Sequence, residues 1–86
     1  MQVLWQREAA GEAGAEYNRA QAALERVLDR VYTKTQQVQG WAGIRKLRVG
    51  DHRLFFTIID DTIYVLAYLP RDACYKEKDI VMRRKP

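Results

Sequence analysis

Between Ile44 and Leu69 the chain places three strand-length apolar runs around two very short polar breaks, and this spacing leaves few folds open. The runs are Ile44–Val49, His52–Ile59 and Thr62–Leu69. They are rich in Ile, Val, Phe, Tyr and Thr, side chains that fit a pleated, half-buried surface. The breaks, Val49-Gly50-Asp51 and Asp60-Asp61, are too short for a crossover, so consecutive runs are predicted to pair as antiparallel hairpins. Pro70 stops the third run because it cannot donate to a ladder.

Upstream, Met1 to Trp5 is predicted as an opening strand with Val3 and Trp5 on one face. Ala9 to Gly14 carries two glycines and predicts only a weak helix. From about Ala15, residues Tyr17, Ala20, Leu24, Val27, Leu28, Val31 and Val38 recur at three- and four-residue spacing, with Arg19, Glu25, Arg26, Asp29 and Arg30 opposite them. That is an amphipathic helix whose stripe must be buried, and it is expected to end near Gly40. Downstream, Arg71–Asp79 is polar and compatible with a turn of helix, and Ile80–Met82 with a short edge strand before the basic tail Arg83-Arg84-Lys85. The expected fold is a single α+β domain over residues 1–86, with the N-terminal strand and helices on one face of a small antiparallel sheet.

An 86-residue chain buries a thin core, and charges of both signs among nearly half apolar residues indicate a folded domain. Residues 1–40 carry five basic and five acidic side chains, whereas residues 41–86 carry ten and six, so the net charge of +4 lies wholly in the second part. A one-sided positive field captures polyanions, either nucleic acid or an acidic protein. The single cysteine, Cys74, excludes an internal disulfide and fits a reducing cytosol. The N-terminus reads as no signal peptide, and no apolar run approaches the ~20 residues of a membrane span, so a soluble cytoplasmic protein is expected. One histidine and one cysteine do not make a zinc site, and no cofactor is expected. Cys74 lacks a histidine base, and His52, in a turn, reads as a solvated residue. Trp5, Trp41, Tyr32, Phe56, Tyr64 and Tyr68 read as packing residues, while Phe55 and Tyr64 are candidates for exposure on a substrate face.

Side-chain alternation sets Lys46 and Arg48 on one face of the first hairpin strand, with Leu47 and Val49 on the other. Across the tight turn Arg53 opens the partner strand near Arg48, and Arg71, Tyr75 and Lys76 follow the third strand. Converging cations with one aromatic suit a phosphodiester and a stacked base. The plainer reading is a set of solvated surface charges.

The stretch GIRKLRVGDHRLFFTIIDDTIYVLAYLPRDACYK, from Gly43 to Lys76, resembles the RelE/ParE toxin superfamily. It shares a strand ending Lys-Leu-Arg, a tight turn, an Arg-initiated apolar strand, an acidic turn, an Ile/Val strand and Arg-x-x-x-Tyr. The resemblance implies a toxin of a type II toxin–antitoxin system, with a cognate antitoxin as partner. RelE-type members cut mRNA on the ribosome without a metal, by attack of the ribose 2′-hydroxyl on the adjacent phosphate. ParE-type members poison DNA gyrase. For the RelE activity the resemblance implies Lys46 as base or phosphate ligand and Arg53 as the phosphate-stabilising arginine. It further implies Arg71 as general acid and Tyr75 as the residue stacking on the substrate, with Arg45, Arg48, Lys76 and Lys78 as further RNA contacts. Ile44 stands where many ribosome-dependent members carry a second lysine, which leaves open an mRNA endoribonuclease, a gyrase inhibitor and a catalytically degenerate binding module.

Overall fold

A computed structural model describes residues 1–73 and 76–84. The three apolar runs form strands β3 (Arg45–Val49), β4 (His52–Ile59) and β5 (Thr62–Pro70), paired as two antiparallel hairpins. Val49 pairs with His52 across a two-residue loop whose first residue, Gly50, has φ +58°. Ile59 pairs with Thr62 across Asp60 and Asp61, both at positive φ (50° and 62°), as a type I′ turn requires. Such turns match the right-handed twist of the strands, which explains why two residues suffice at each corner. β1 (Gln2–Trp5) pairs with β5 and β2 (Gln36–Gln37) with β3, giving a five-stranded sheet in the order β1-β5-β4-β3-β2. The β1–β5 pairing is parallel, so the sheet is antiparallel except at that edge.

Helices α1 (Arg7–Ala13), α2 (Tyr17–Glu25) and α3 (Val31–Lys34) follow β1. Ala9 and Ala13, one helical turn apart, are buried in the same core as Ile63 and Val65, and their small side chains let α1 lie close on β5. Ala20 and Leu24 of α2 join that core with Leu54, Phe56 and Tyr68. This tertiary burial outweighs the glycine-rich composition, and α1 forms despite Gly11. Trp5 Nε1 donates to Gln21 Oε1 at 2.7 Å and its ring meets Tyr17 at 4.7 Å, which ties β1 to α2.

The amphipathic segment from Ala15 is not one helix to Gly40. It breaks after α2, passes through a 3-10 turn at Leu28–Arg30 and ends at Lys34, after which Gln36 and Gln37 pair with Lys46 and Arg45. The β-branched residues Val27, Val31, Thr33 and Thr35 weaken a helix here, and β2 gains a ladder instead. Gly40, at φ +82°, is a turn residue: Trp41 N–H donates to Val38 O at 3.0 Å across it. Near the C-terminus, Ile80–Met82 is no edge strand, since α4 (Glu77–Val81) and a 3-10 turn at Met82–Arg84 occupy it. Ile80 is buried with Ile44, Phe55, Leu66 and Ala67, so the sheet also has a core on the side opposite α1 and α2. Among the described residues no helix is long and apolar enough to cross a membrane.

Candidate polyanion-binding face

Leu47, Val49 and Leu54 point into the helix-side core, so alternation turns Lys46, Arg48 and Arg53 to the opposite face. On that face the second core, with Ile80 and Phe55, stops short of the β3–β4 turn, and the three cations lie between it and the turn. Lys46 is opposite Phe55, and Arg48 is directly opposite Arg53. With Lys34, Thr35, Gln36 and Leu47 they line an open cavity of about 360 Å³. A smaller hollow of about 50 Å³ adjoins it, sharing Arg48 and Arg53 and adding Gly50, His52 and Arg71. Arg71 is brought there by its backbone N–H, which donates to Asp51 O at 2.9 Å.

Five cations therefore border two adjoining hollows: Lys34, Lys46, Arg48, Arg53 and Arg71. No carboxylate is among the residues lining either. Among the described residues only Arg71 of these five has an acid within ion-pair distance, Asp72 at 3.7 Å, and that contact is solvent-exposed and weak. Such a surface binds the oxygens of a phosphodiester and stabilises extra negative charge built up there. Among the described residues no group of His, Cys, Asp and Glu is placed to hold a metal ion.

Of the residues singled out in the sequence, Lys46, Arg48, Arg53 and Arg71 are brought together. Arg45 is not. Its guanidinium turns to the helix side, donating to Thr35 Oγ1 at 2.9 Å, Thr35 O at 2.8 Å and Tyr32 O at 2.9 Å, and lies 5.3 Å from the Tyr32 ring centroid. It ties the end of α3 to the sheet and is spent on that structural contact. Lys76 and Lys78 are exposed at the start of α4 and line neither hollow. Tyr75 and Cys74 lie outside the described residues. Phe55 is fully buried beneath Trp41 (5.9 Å between rings), not exposed on this face, and Ile44 is buried beside it.

Lys34 is the residue that sequence reading missed. α3 ends at Lys34, two residues before Gln36 pairs with Lys46, and this places Lys34 on the hollow that Arg48 also lines. The helical stripe read through to Gly40 carries no sign that the chain turns to pair with β3 at Gln36.

His52 is also placed by packing. Its ring stacks on Tyr68 (4.8 Å, 3° between planes), with Nδ1 3.8 Å from Glu16 Oε1 on the helix side. Tyr68 Oη donates to the same Glu16 oxygen at 2.9 Å. Burial, then the hydrogen bond to and negative charge of Glu16, push the Tyr68 hydroxyl up to about 12. This group supports the β3–β4 turn from behind the cationic face.

The fold is a five-stranded sheet with a helical layer behind it and a cation-lined hollow at one hairpin. The sequence profile of the ParE toxin of the type II toxin–antitoxin system parDE matches residues 4–72, and the chain belongs to that family. The fold is similar to a chain in the crystal structure of a RelB-RelE antitoxin-toxin complex from Methanococcus jannaschii, with a TM-score of 0.62 and 17% identity over 79% of this chain and 89% of that one. No curated protein matches the sequence.

Proposed function

We propose that this toxin is a metal-independent mRNA endoribonuclease that acts on the ribosome in the cytoplasm and is silenced by a cognate antitoxin. The observation that supports the reading is the convergence of Lys34, Lys46, Arg48 and Arg53 on one carboxylate-free hollow, with Arg71 adjoining. In this scheme the ribose 2′-oxygen attacks the neighbouring phosphorus and loses its proton to Lys46 in its neutral form or to water. Arg48, Arg53 and Lys34 hold the added charge of the phosphorane. The 5′-oxygen leaves as its bond to phosphorus breaks, protonated from the Arg71 side or by water, and a 2′,3′-cyclic phosphate remains. The antitoxin partner is inferred from the RelB-RelE complex that shares the fold.

In vitro translation followed by primer extension tests this reading. Intact message in the presence of soluble, folded protein would overturn it. The match to the ParE profile favours a second reading, inhibition of DNA gyrase by the same cationic face without bond cleavage. Loss of supercoiling activity with translation unaffected selects that reading.

A further inference from the structure

Five cations line the two hollows, and arginine and lysine side chains hold their protons near neutral pH. Imidazole is the side chain that exchanges one there, and His52 lines the small hollow beside Arg71. Register sets its place. Along the hairpin the order is Lys46, then the opposed pair Arg48 and Arg53, then His52, which is opposite Val49. Lys46 lines the large hollow and His52 the small one, whereas Arg48 and Arg53 line both. The small hollow, about 50 Å³, has room for one or two groups the size of a water molecule, so an alcohol oxygen and its carbon fit and a base does not. The His52 ring is held from behind by its stack on Tyr68 at 4.8 Å. Its Nδ1 is 3.8 Å from Glu16 Oε1, which is itself 3.5 Å from Arg19 Nη1. A carboxylate beside Nδ1 sets the orientation of an imidazole and leaves Nε2 for a ligand.

We propose that His52 is the general acid of the cleavage step, the group that protonates the departing 5′-oxygen. The proposal rests on the endoribonuclease reading. Displacement at phosphorus needs the entering and leaving oxygens in line, on opposite sides of the phosphate. With the phosphate held by Arg48 and Arg53, which border both hollows, the 2′-oxygen enters from the Lys46 side and the 5′-oxygen leaves towards His52. As the bond from phosphorus to the 5′-oxygen breaks, its electron pair goes to that oxygen. The Nε2 proton of the imidazolium moves to the same oxygen. Neutral imidazole remains and takes a proton back from water. Arg71, whose guanidinium keeps its protons, holds the phosphate from the same hollow.

Ribosomes programmed with a message that carries sulfur in place of the scissile 5′-oxygen provide the test. A thiol is far more acidic than an alcohol, so the thiolate leaves without a proton and the acid becomes dispensable. His52→Phe keeps a ring to stack on Tyr68 but has no proton to give. It is expected to cut the ordinary message about 100-fold or more slowly than the native chain, and to match the native rate on the sulfur-bearing message. Arg53→Ala, which weakens the hold on the phosphate, is expected to stay slow on both. His52→Gln should behave as His52→Phe, and urea unfolding checks that each variant is folded. An unchanged rate in the His52 variants, or a loss that sulfur does not restore, would overturn the proposal and leave the endoribonuclease reading in place. A native chain that leaves both messages intact overturns that reading, and the proposal with it.

Discussion

Arg48 and Arg53 are directly opposed across the β3–β4 hairpin, two cations held side by side on one face of the sheet. The pair follows the bonded Val49–His52 pair and is of the non-hydrogen-bonded kind, in which Cα atoms approach to about 4.5 Å. Like charges so placed lower stability, and a partner anion relieves the repulsion. Arg48→Thr is therefore expected to raise stability by about 0.2–1 kcal/mol in urea unfolding at low salt. The same substitution is expected to weaken binding of an RNA oligonucleotide and to reduce the salt dependence of that binding by about one counterion. A loss of stability instead would show that Arg48 is held by contacts that outweigh the repulsion.

Arg45 is expected to behave in the opposite way. Arg45→Ala removes donors from the carbonyls of Tyr32 and Thr35, and a loss of about 1–3 kcal/mol is expected by denaturant titration. Oligonucleotide affinity should change less than for Arg53→Ala, because the Arg45 head lies on the far side of the sheet from the hollow. Equal losses of affinity for the two variants would return Arg45 to the binding face.

A partly buried ion pair ties the C-terminal segment to the sheet. Arg83 Nη1 donates to Glu12 Oε1 at 3.0 Å and to Leu66 O at 2.9 Å, while Glu12 accepts the Tyr68 N–H at 3.1 Å. β1 pairs with β5 only as far as Val65, and these two side chains satisfy the β5 edge just beyond it. Removing either partner leaves a half-buried charge and open backbone groups, so Arg83→Ala and Glu12→Ala should each cost about 1–3 kcal/mol. The double variant should lose clearly less than the sum, with a coupling of about 0.5 kcal/mol or more in a double-mutant cycle. Additive losses would show that the two residues act separately.

Tyr68 sets an alkaline limit. Its hydroxyl titrates near 10 when unfolded and at about 12 when folded, so between these values the folded state holds the proton more tightly. Its contribution is complete below pH 10 and is lost as pH rises through about 12. The difference in stability between the native chain and Tyr68→Phe, followed by unfolding at a series of pH values, should shrink over that window. A constant difference would mean that the hydroxyl is not held by Glu16.

The hairpins from Ile44 to Pro70 were legible because the information is local: period-two runs, residues that accept a left-handed conformation, and a proline stop. The same alternation sufficed to put Lys46 and Arg48 on one side and Arg53 beside them. The helix-to-Gly40 reading failed because a three-to-four-residue stripe says that Val31 is buried, but not that Gln36 and Gln37 gain more by pairing with β3. With that pairing unseen, nothing in the sequence tied Lys34 to Arg48. Phe55 and Tyr64 looked free to face a ligand because nothing local announces that Ile80, distant in sequence, shares their core.

By itself the sequence therefore determined the strand order of the two hairpins, the uneven charge and the family resemblance, since each depends on near neighbours or on composition. Only the tertiary structure decided which cations share a hollow, because that depends on which face of the sheet another element covers. It sent Arg45 to the end of α3 and Arg83 to Glu12. It left the like-charged pair, Arg48 and Arg53, open to an anion.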